Sequence, residues 1–233
     1  MEEPLHEKLE LNQKWGLWEH YETAKGSKDY TGSLAKVAWF NDLFSFAEAW
    51  QHMQHREIAN YFYNEKDRTI PVHPINGEEK RVNGFSLFAQ GIRPEWEDEI
   101  NANGGSFKLD FKAPSHVVQQ VWEKLVFQTV TWEFKEADKL CGVRLLDKSQ
   151  PSKEGSYRIE VWTQLADEND DSNKKIKTYL EDVFVAMIND GCKSAADSDQ
   201  QADWGARDHC IQFGSHKVSD SKPSYKGGHG GAK

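Results

Sequence analysis

Trp96 and Glu97 are neighbours in a glycine-flanked stretch, GIRPEWEDEINANGG, over residues 91–105. A loop indole can serve as a stacking plate, worth about 1–3 kcal/mol on a purine. A carboxylate beside it can accept two parallel N–H bonds, as it does from an arginine fork. The Watson–Crick edge of guanine offers such a pair, N1–H next to N2–H, and adenine does not. A cationic purine would be drawn in further by the ring quadrupole. The plainer reading is a Trp packed on a sheet edge with Glu97 solvated, and residue type alone leaves both open.

A second cluster lies in the run SYRIEVWT, residues 156–163. Period-2 alternation sets Arg158, Glu160 and Trp162 on one face, with Tyr157, Ile159 and Val161 on an apolar core face. Together with Lys148, Lys153 and Lys222, these cations would form a local phosphate site, since Lys and Arg bind phosphate oxygens through charge-assisted bonds. The alternative is a solvated strand face. Phe46, Trp50 and Met53 fall at i, i+4, i+7 on one helical stripe, which suits either core packing or a partner. His52 and His55 lack a third ligand nearby and read as a solvated helix face. Nothing sets the Glu97-Asp98-Glu99 carboxylates apart as an acid/base pair. There is no phosphate-cradling glycine motif and no nucleophile motif. No catalytic or metal-ligating residue is therefore assigned.

The elements that must position these groups follow from hydrophobic periodicity and turn chemistry. Strands are expected over 11–21, 34–40, 85–88, 107–111, 141–147, 157–163 and 210–213. Helices are expected over 46–56, from 115 to about 132 with Ser115 as N-cap, and over 172–189, whose lysine-rich start opposes the helix dipole. Residues 22–31, 63–83, 91–105 and 194–208 read as loops. The organisation is a charged arm (1–10), one domain (11–218) and a Gly/Ser/Lys-rich tail (219–233). The fold class is α+β, with helices on one face of a largely antiparallel sheet.

Composition bounds the function. The chain has 233 residues, 29 Lys+Arg against 38 Asp+Glu, and a net charge of −9. Such a balance argues against coating a long nucleic-acid backbone, which needs an excess of cations; a few local cations would suit a compact anion. Hydrophobic residues make up 37% of the chain and aromatics 12%, enough for a packed core. Nine are Trp, a residue rarely fully buried, so some should face a ligand or partner. Cys141, Cys192 and Cys210 form neither a disulfide framework nor a zinc spacing. With no signal peptide and no membrane-length apolar run, the expectation is a soluble cytoplasmic or nuclear protein.

Taken in order along the chain, LNQKWGLWEHY (11–21), GIRPEWEDEINANGGSF (91–107), CGVRLLDK (141–148) and RIEVWT (158–163) resemble the eukaryotic translation initiation factor 4E family, the mRNA 5′-cap-binding proteins. The resemblance spans residues 11–222. It implies a non-enzyme without cofactor, whose curved antiparallel sheet is backed by three helices and holds the 7-methylguanosine cap on its concave face. It implies that Tyr30 and Trp96 sandwich the base, Glu97 reads the guanine edge and Trp162 meets the N7-methyl group. Lys148, Arg158 and Lys222 would hold the phosphates. Phe46 and Trp50 would form the convex patch for scaffold or repressor proteins carrying a Tyr-x4-Leu-apolar motif. The partners implied are capped mRNA and such proteins, with no membrane, and the chain is expected to be a monomer. The first plate is usually Trp; Tyr30 stands there, with Trp39 as the fallback. Phe107 replaces a Trp, Ser106 a common cation, and Glu123 a Leu of the partner surface. These departures fit a divergent, protist-type member, and Glu123 raises the alternative of a cap-binding repressor or specialised isoform that does not recruit the usual scaffold.

Overall fold

Alternation along each strand decides which side chains meet the helices and which do not. In the computed structural model, which describes residues 10–22, 33–52, 57–75, 77–131, 133, 134, 136–195 and 204–217, the strands of the main sheet are β1 (Glu10–Tyr21), β2 (Leu34–Asp42), β5 (Val82–Ala89), β6 (Gly105–Lys112), β7 (Leu140–Asp147), β8 (Ser156–Thr163) and β9 (Gly205–Ser215). They pair in the order β2-β1-β5-β7-β8-β6-β9, and every pairing is antiparallel. A separate hairpin joins β3 (His73–Ile75) to β4 (Glu78–Lys80).

One face of the sheet is apolar and covered. Trp15, Leu17, Phe40, Phe85, Leu87, Val143, Leu145, Ile159, Val161 and Leu109 are all buried there. The helices over it are α1 (Leu43–His52), α3 (Ser115–Val130) and the segment from α4 (Asp171–Tyr179) to α5 (Ala186–Ala195). Helix α3 presents Val117, Val118, Val121, Trp122, Leu125 and Val126, all fully buried, and the Trp122 ring meets Phe85 at 6.1 Å. Asn12 ties β1 to this helix: its Nδ2 donates to the Thr129 carbonyl, and its Oδ1 accepts from Trp15 Nε1, both at 2.7 Å. Helices α4 and α5 are continuous through a π-helical stretch, Leu180–Val185.

Several expected boundaries shift. Residues 63–83 carry the β3–β4 hairpin and the start of β5, and 194–208 carry the end of α5 and the start of β9. The stretch 91–105 contains a one-turn helix, α2 (Glu99–Ala102). Ser115 is not the cap of α3: Pro114 holds that place without a side-chain bond, and the Ser115 hydroxyl donates to Glu65 Oε1 at 2.7 Å. The third helix starts one residue early, at Asp171, because Asp170 caps it by accepting from Ser172 N at 2.8 Å. That carboxylate and Asp171 offset the lysines at the positive end of the dipole.

The opposite, open face is ordered by register. One row crosses the sheet as Trp39, Gly16, Phe88, Gly142, Trp162, Ser106 and Gly214. The next runs Lys36, Trp18, Ser86, Arg144, Glu160, Lys108 and Gln212, and a third runs Leu34, His20, Gly84, Leu146, Arg158 and Asp110. Strands lie only about 4.8 Å apart, narrower than an indole lying flat. Two rings of the first row, Trp39 and Phe88, therefore rest over glycines. A Cβ on Gly16 would lie 2.7 Å from Trp39 Cζ3, and one on Gly142 would run into the Phe88 ring and sit 2.6 Å from the Leu87 carbonyl oxygen. Gly142→Ala should therefore destabilise the fold by about 1–3 kcal/mol through overpacking, read as a lower urea midpoint at unchanged m-value.

Candidate functional site

Trp162 is the anchor of the open face. It keeps only 5% of its surface because other rings close around it: Phe88 edge-on at 5.5 Å and His216 at 4.6 Å. Its Nε1 donates to Glu160 Oε2 at 3.0 Å. Alternation places Trp162 on the face expected, but it is sealed there rather than projecting. The same Glu160 oxygen lies 3.5 Å from Arg144 Nη1, and the Arg144 guanidinium stands 5.4 Å from the Trp162 ring centre.

The 91–105 loop sits at the edge of this row and is held internally. Asn101, fully buried, donates from Nδ2 to the carbonyls of Arg93 and Glu95, each at 2.7 Å. Asp98 caps α2 by accepting from Ile100 N at 3.1 Å and also accepts from Arg93 N at 3.0 Å. His216 fastens the loop to the sheet: its backbone N–H donates to Gly104 O at 2.9 Å, and its ring nitrogens reach Asn101 O at 2.9 Å and Ser106 Oγ at 3.0 Å. Burial lowers the His216 pKa most, against the Asn101 bond that raises it. Of the acidic run, Asp98 is thus structural. Trp96 is left 60% exposed on this braced loop, and Glu97 beside it is exposed too. Such a rigid, solvent-facing indole with an adjacent carboxylate is built to stack on a flat group and accept hydrogen bonds from its edge.

The cations gather at the far end of β7 and β8. Lys148, Lys153 and Arg158 line one cavity of about 280 Å³ together with Arg81 and Asp110. Lys148 stays in register after β7, its N–H donating to Ser156 O at 2.8 Å. The loop beyond it is pinned by Asp147, whose buried carboxylate accepts from Tyr63 N at 3.0 Å and Ser149 N at 2.8 Å and pairs with Arg81 Nη2 at 2.9 Å. Burial, then the nearby Arg158 and Arg144 charges, lower the Lys148 pKa. Arg158 is engaged across the strands by Asp110 in a two-bond fork of 2.7 and 2.8 Å. Partial burial works against the Asp110 charge, but that fork more than offsets it and holds the carboxyl below its usual range. Sequence reasoning missed Asp110, although its alternation with Leu109 and Phe111 on β6 gave its face.

Tyr30 and Lys222 lie outside the described residues. Trp39 lies on the open face at the sheet-edge strand, 37% exposed, with Lys36 Nζ 4.5 Å above its ring. On the helix side, Phe46 and Trp50 are mostly core, at 2% and 7% exposure, and the surface of that aromatic cluster is Phe127 at 41%. Phe127 meets both rings at 5.4 Å. Among the described residues no group of three His, Cys, Asp or Glu could hold a metal, and no helix is long and apolar enough to cross a membrane.

A family model described as eukaryotic initiation factor 4E matches residues 10–203. Eukaryotic translation initiation factor 4E of Candida albicans is 27% identical over 193 residues, covering 81% of this chain and 78% of that protein. Factor 4E-1 of Caenorhabditis elegans is 27% identical over 191 residues, covering 80% and 76%. Among solved structures, Ascaris suum factor 4E-3 with an m7G cap superposes with a TM-score of 0.57 at 22% identity, over 93% of this chain and 96% of that one. Caenorhabditis elegans factor 4E-3 with the 4E-binding protein Mextli and a cap analogue gives 0.53 at 23%, over 75% and 84%. These structural likenesses establish a shared fold.

The open face also fixes a pH response. His20 is buried and bonded through Nε2 to Ser86 Oγ at 2.7 Å; burial, then the Arg144 charge, push its pKa well below 6.5. A histidine held neutral in the fold protonates more readily when unfolded. Its contribution to stability is present above the unfolded pKa and falls as pH drops toward the folded one. Urea unfolding between about pH 7 and pH 5 should show falling stability, and His20→Gln should flatten that slope, leaving the smaller part due to His216.

Proposed function

The chain belongs to the eukaryotic initiation factor 4E family, and on that premise we propose that it binds the 7-methylguanosine cap of messenger RNA on the open face of its sheet and acts in translation initiation in the cytoplasm. Factors of this family are cap-binding proteins rather than enzymes. The observation that carries the reading is the exposed Trp96–Glu97 pair on a loop braced by Asn101, Asp98 and His216. The methylated base is cationic, so it stacks on Trp96 with quadrupole attraction added to dispersion. Tyr30 supplies the second plate. Glu97 accepts N1–H and N2–H of guanine, and Trp162 closes the floor near the methyl group. Lys148 and Arg158, joined by Lys222, hold the phosphates by charge-assisted bonds. Bracing the loop before binding reduces the ordering entropy that binding would otherwise lose.

Following Trp fluorescence, 7-methylguanosine triphosphate should bind roughly tenfold or more tightly than guanosine triphosphate. Trp96→Ala should cost about 1–3 kcal/mol of that affinity. Glu97→Ala should erase the preference for guanine over adenine caps. Equal affinity of the wild-type chain for methylated and unmethylated nucleotide would defeat the reading.

The partner face follows from the Phe46–Trp50–Phe127 cluster. Solved relatives include complexes with 4E-binding proteins, and the exposed side of this cluster would take an apolar helical motif. A second reading rests on Glu123, one turn before Phe127 on α3 and hydrogen-bonded by Gln119 Nε2 at 2.8 Å. A carboxylate there sets a desolvation penalty against an apolar partner and fits an isoform that does not recruit the usual scaffold. A peptide with the Tyr-x4-Leu-apolar motif should be captured by the wild-type chain and lost with Phe127→Ala, cap affinity being unchanged. No capture by wild type, with capture gained in Glu123→Leu, would identify the non-recruiting form instead.

A further inference from the structure

Arg144 has no place in the reading above, yet it occupies the middle of the open face between Ser86 and Glu160. Its Nε is buried without a hydrogen-bond partner. Among the described residues its charge meets one carboxylate, Glu160, at 3.5 Å, whose nearer oxygen already accepts from Trp162 Nε1. A guanidinium carries five donors in a fixed fork, and leaving the buried Nε among them unmatched is costly. Stability does not explain the pair: a buried ion pair is generally no better than an apolar pair of the same volume. The structure also leaves space beside it. Arg144, Lys148, His20 and Asn83 line a cavity of about 360 Å³ together with Glu22 and Asp147, two carboxylates that Arg81 already engages. Lys148 is also a wall of the separate cationic cavity that holds Lys153 and Arg158.

We propose that Arg144 is a further phosphate-binding cation, and that the cavity it shares with Lys148 takes a phosphate group of the capped RNA beside the one held by Lys148 and Arg158. The inference rests on the cap reading and deepens it. The guanidinium fork matches two phosphate oxygens. Lys148 then contacts both subsites, and Glu160 keeps Arg144 oriented while the ligand is absent. Two sources offer the same chemistry: a phosphate of the triphosphate bridge, or the first phosphodiester of the RNA body.

The test uses the full chain with 7-methylguanosine as nucleoside, monophosphate, diphosphate and triphosphate, and with a capped trinucleotide. Arg144→Gln alone strands Glu160, so Arg144→Gln/Glu160→Gln is measured beside it, with Arg144→Lys to separate charge from the fork. If the subsite serves the bridge, the double variant should lose roughly tenfold or more in triphosphate affinity, and nucleoside affinity should stay within about twofold. If it serves the RNA body, that loss should appear only with the trinucleotide. Arg144→Lys should recover part of it. An equal loss for nucleoside and triphosphate would mean that Arg144 only supports Trp162, and an unchanged dependence on phosphate number and chain length would mean that it contacts no phosphate; either overturns the inference. A wild-type chain indifferent to the methyl group but losing phosphate affinity in the double variant would defeat the cap reading and leave the subsite standing.

Discussion

A sheet with helices on one face only must cover its other face from its own side chains. Here that constraint is met by a single row in which large rings alternate with glycine or serine. Phe88 lies over Gly142 and meets the edge of Trp162, while Trp39 lies over Gly16. Strand spacing dictates the pattern, because two indoles on adjacent strands in one row would overlap. Everything else on the open face refers to this row. His216 packs on Trp162 and reaches back to Asn101 and Ser106, so the loop bearing Trp96 takes its position from the same ring. The charged rows lie on the other side of the tract, at the separation that alternate residues on a strand impose.

Charge on that face is balanced locally. Arg158 is held by Asp110, Glu160 is shared between Arg144 and Arg158, and Arg81 is held by Asp147. Lys153 is exposed, and Lys148 is accessible along cavity walls that partly desolvate it. The face therefore presents a small cationic excess within a chain of net charge −9, and beyond about 8–10 Å the surrounding acids and salt screen it. Such a field attracts a compact phosphate chain at short range and gives little hold on a long RNA backbone. The Asp110 fork adds a competition: a phosphate approaching Arg158 must displace or share a carboxylate already making two bonds. A surface pair of this kind is weak, so it orients the guanidinium more than it blocks it.

Much of this was legible from sequence, and the failures have a common cause. Period 2 assigned the faces of Arg158, Glu160 and Trp162 correctly, since alternation is a property of the strand itself. The same rule could not say that Trp162 is sealed, because its cover comes from Phe88 and His216, 74 and 54 residues away by number. The Trp96–Glu97 loop was legible as a motif; its rigidity was not, because Asn101 looks like any loop polar residue until its amide is seen to bridge two carbonyls. Ser115 fitted a cap by type, yet its hydroxyl serves Glu65. The β3–β4 hairpin hid behind prolines and charges that make no apolar alternation. Phe46 and Trp50 gave a true helical stripe, but periodicity does not distinguish a stripe facing the core from one facing a partner; Phe127, on another helix, supplies the surface of the cluster.

The Arg144–Glu160 pair shows where physical reasoning goes beyond pattern. Either residue alone on this face would be an uncompensated charge beneath the ring that anchors the site, at a cost of several kcal/mol. Together they are tolerated, with the Trp162 N–H, the Glu160 carboxylate and the Arg144 guanidinium forming a short chain of donor, acceptor and cation. At the Arg144 end Nε is buried without a partner, and the residue lines a cavity shared with Lys148. A positive charge so close to the expected base position would repel a cationic purine were it not paired with Glu160. The carboxylate thus lets one face attract a methylated base at the aromatic row and an anion at the charged rows.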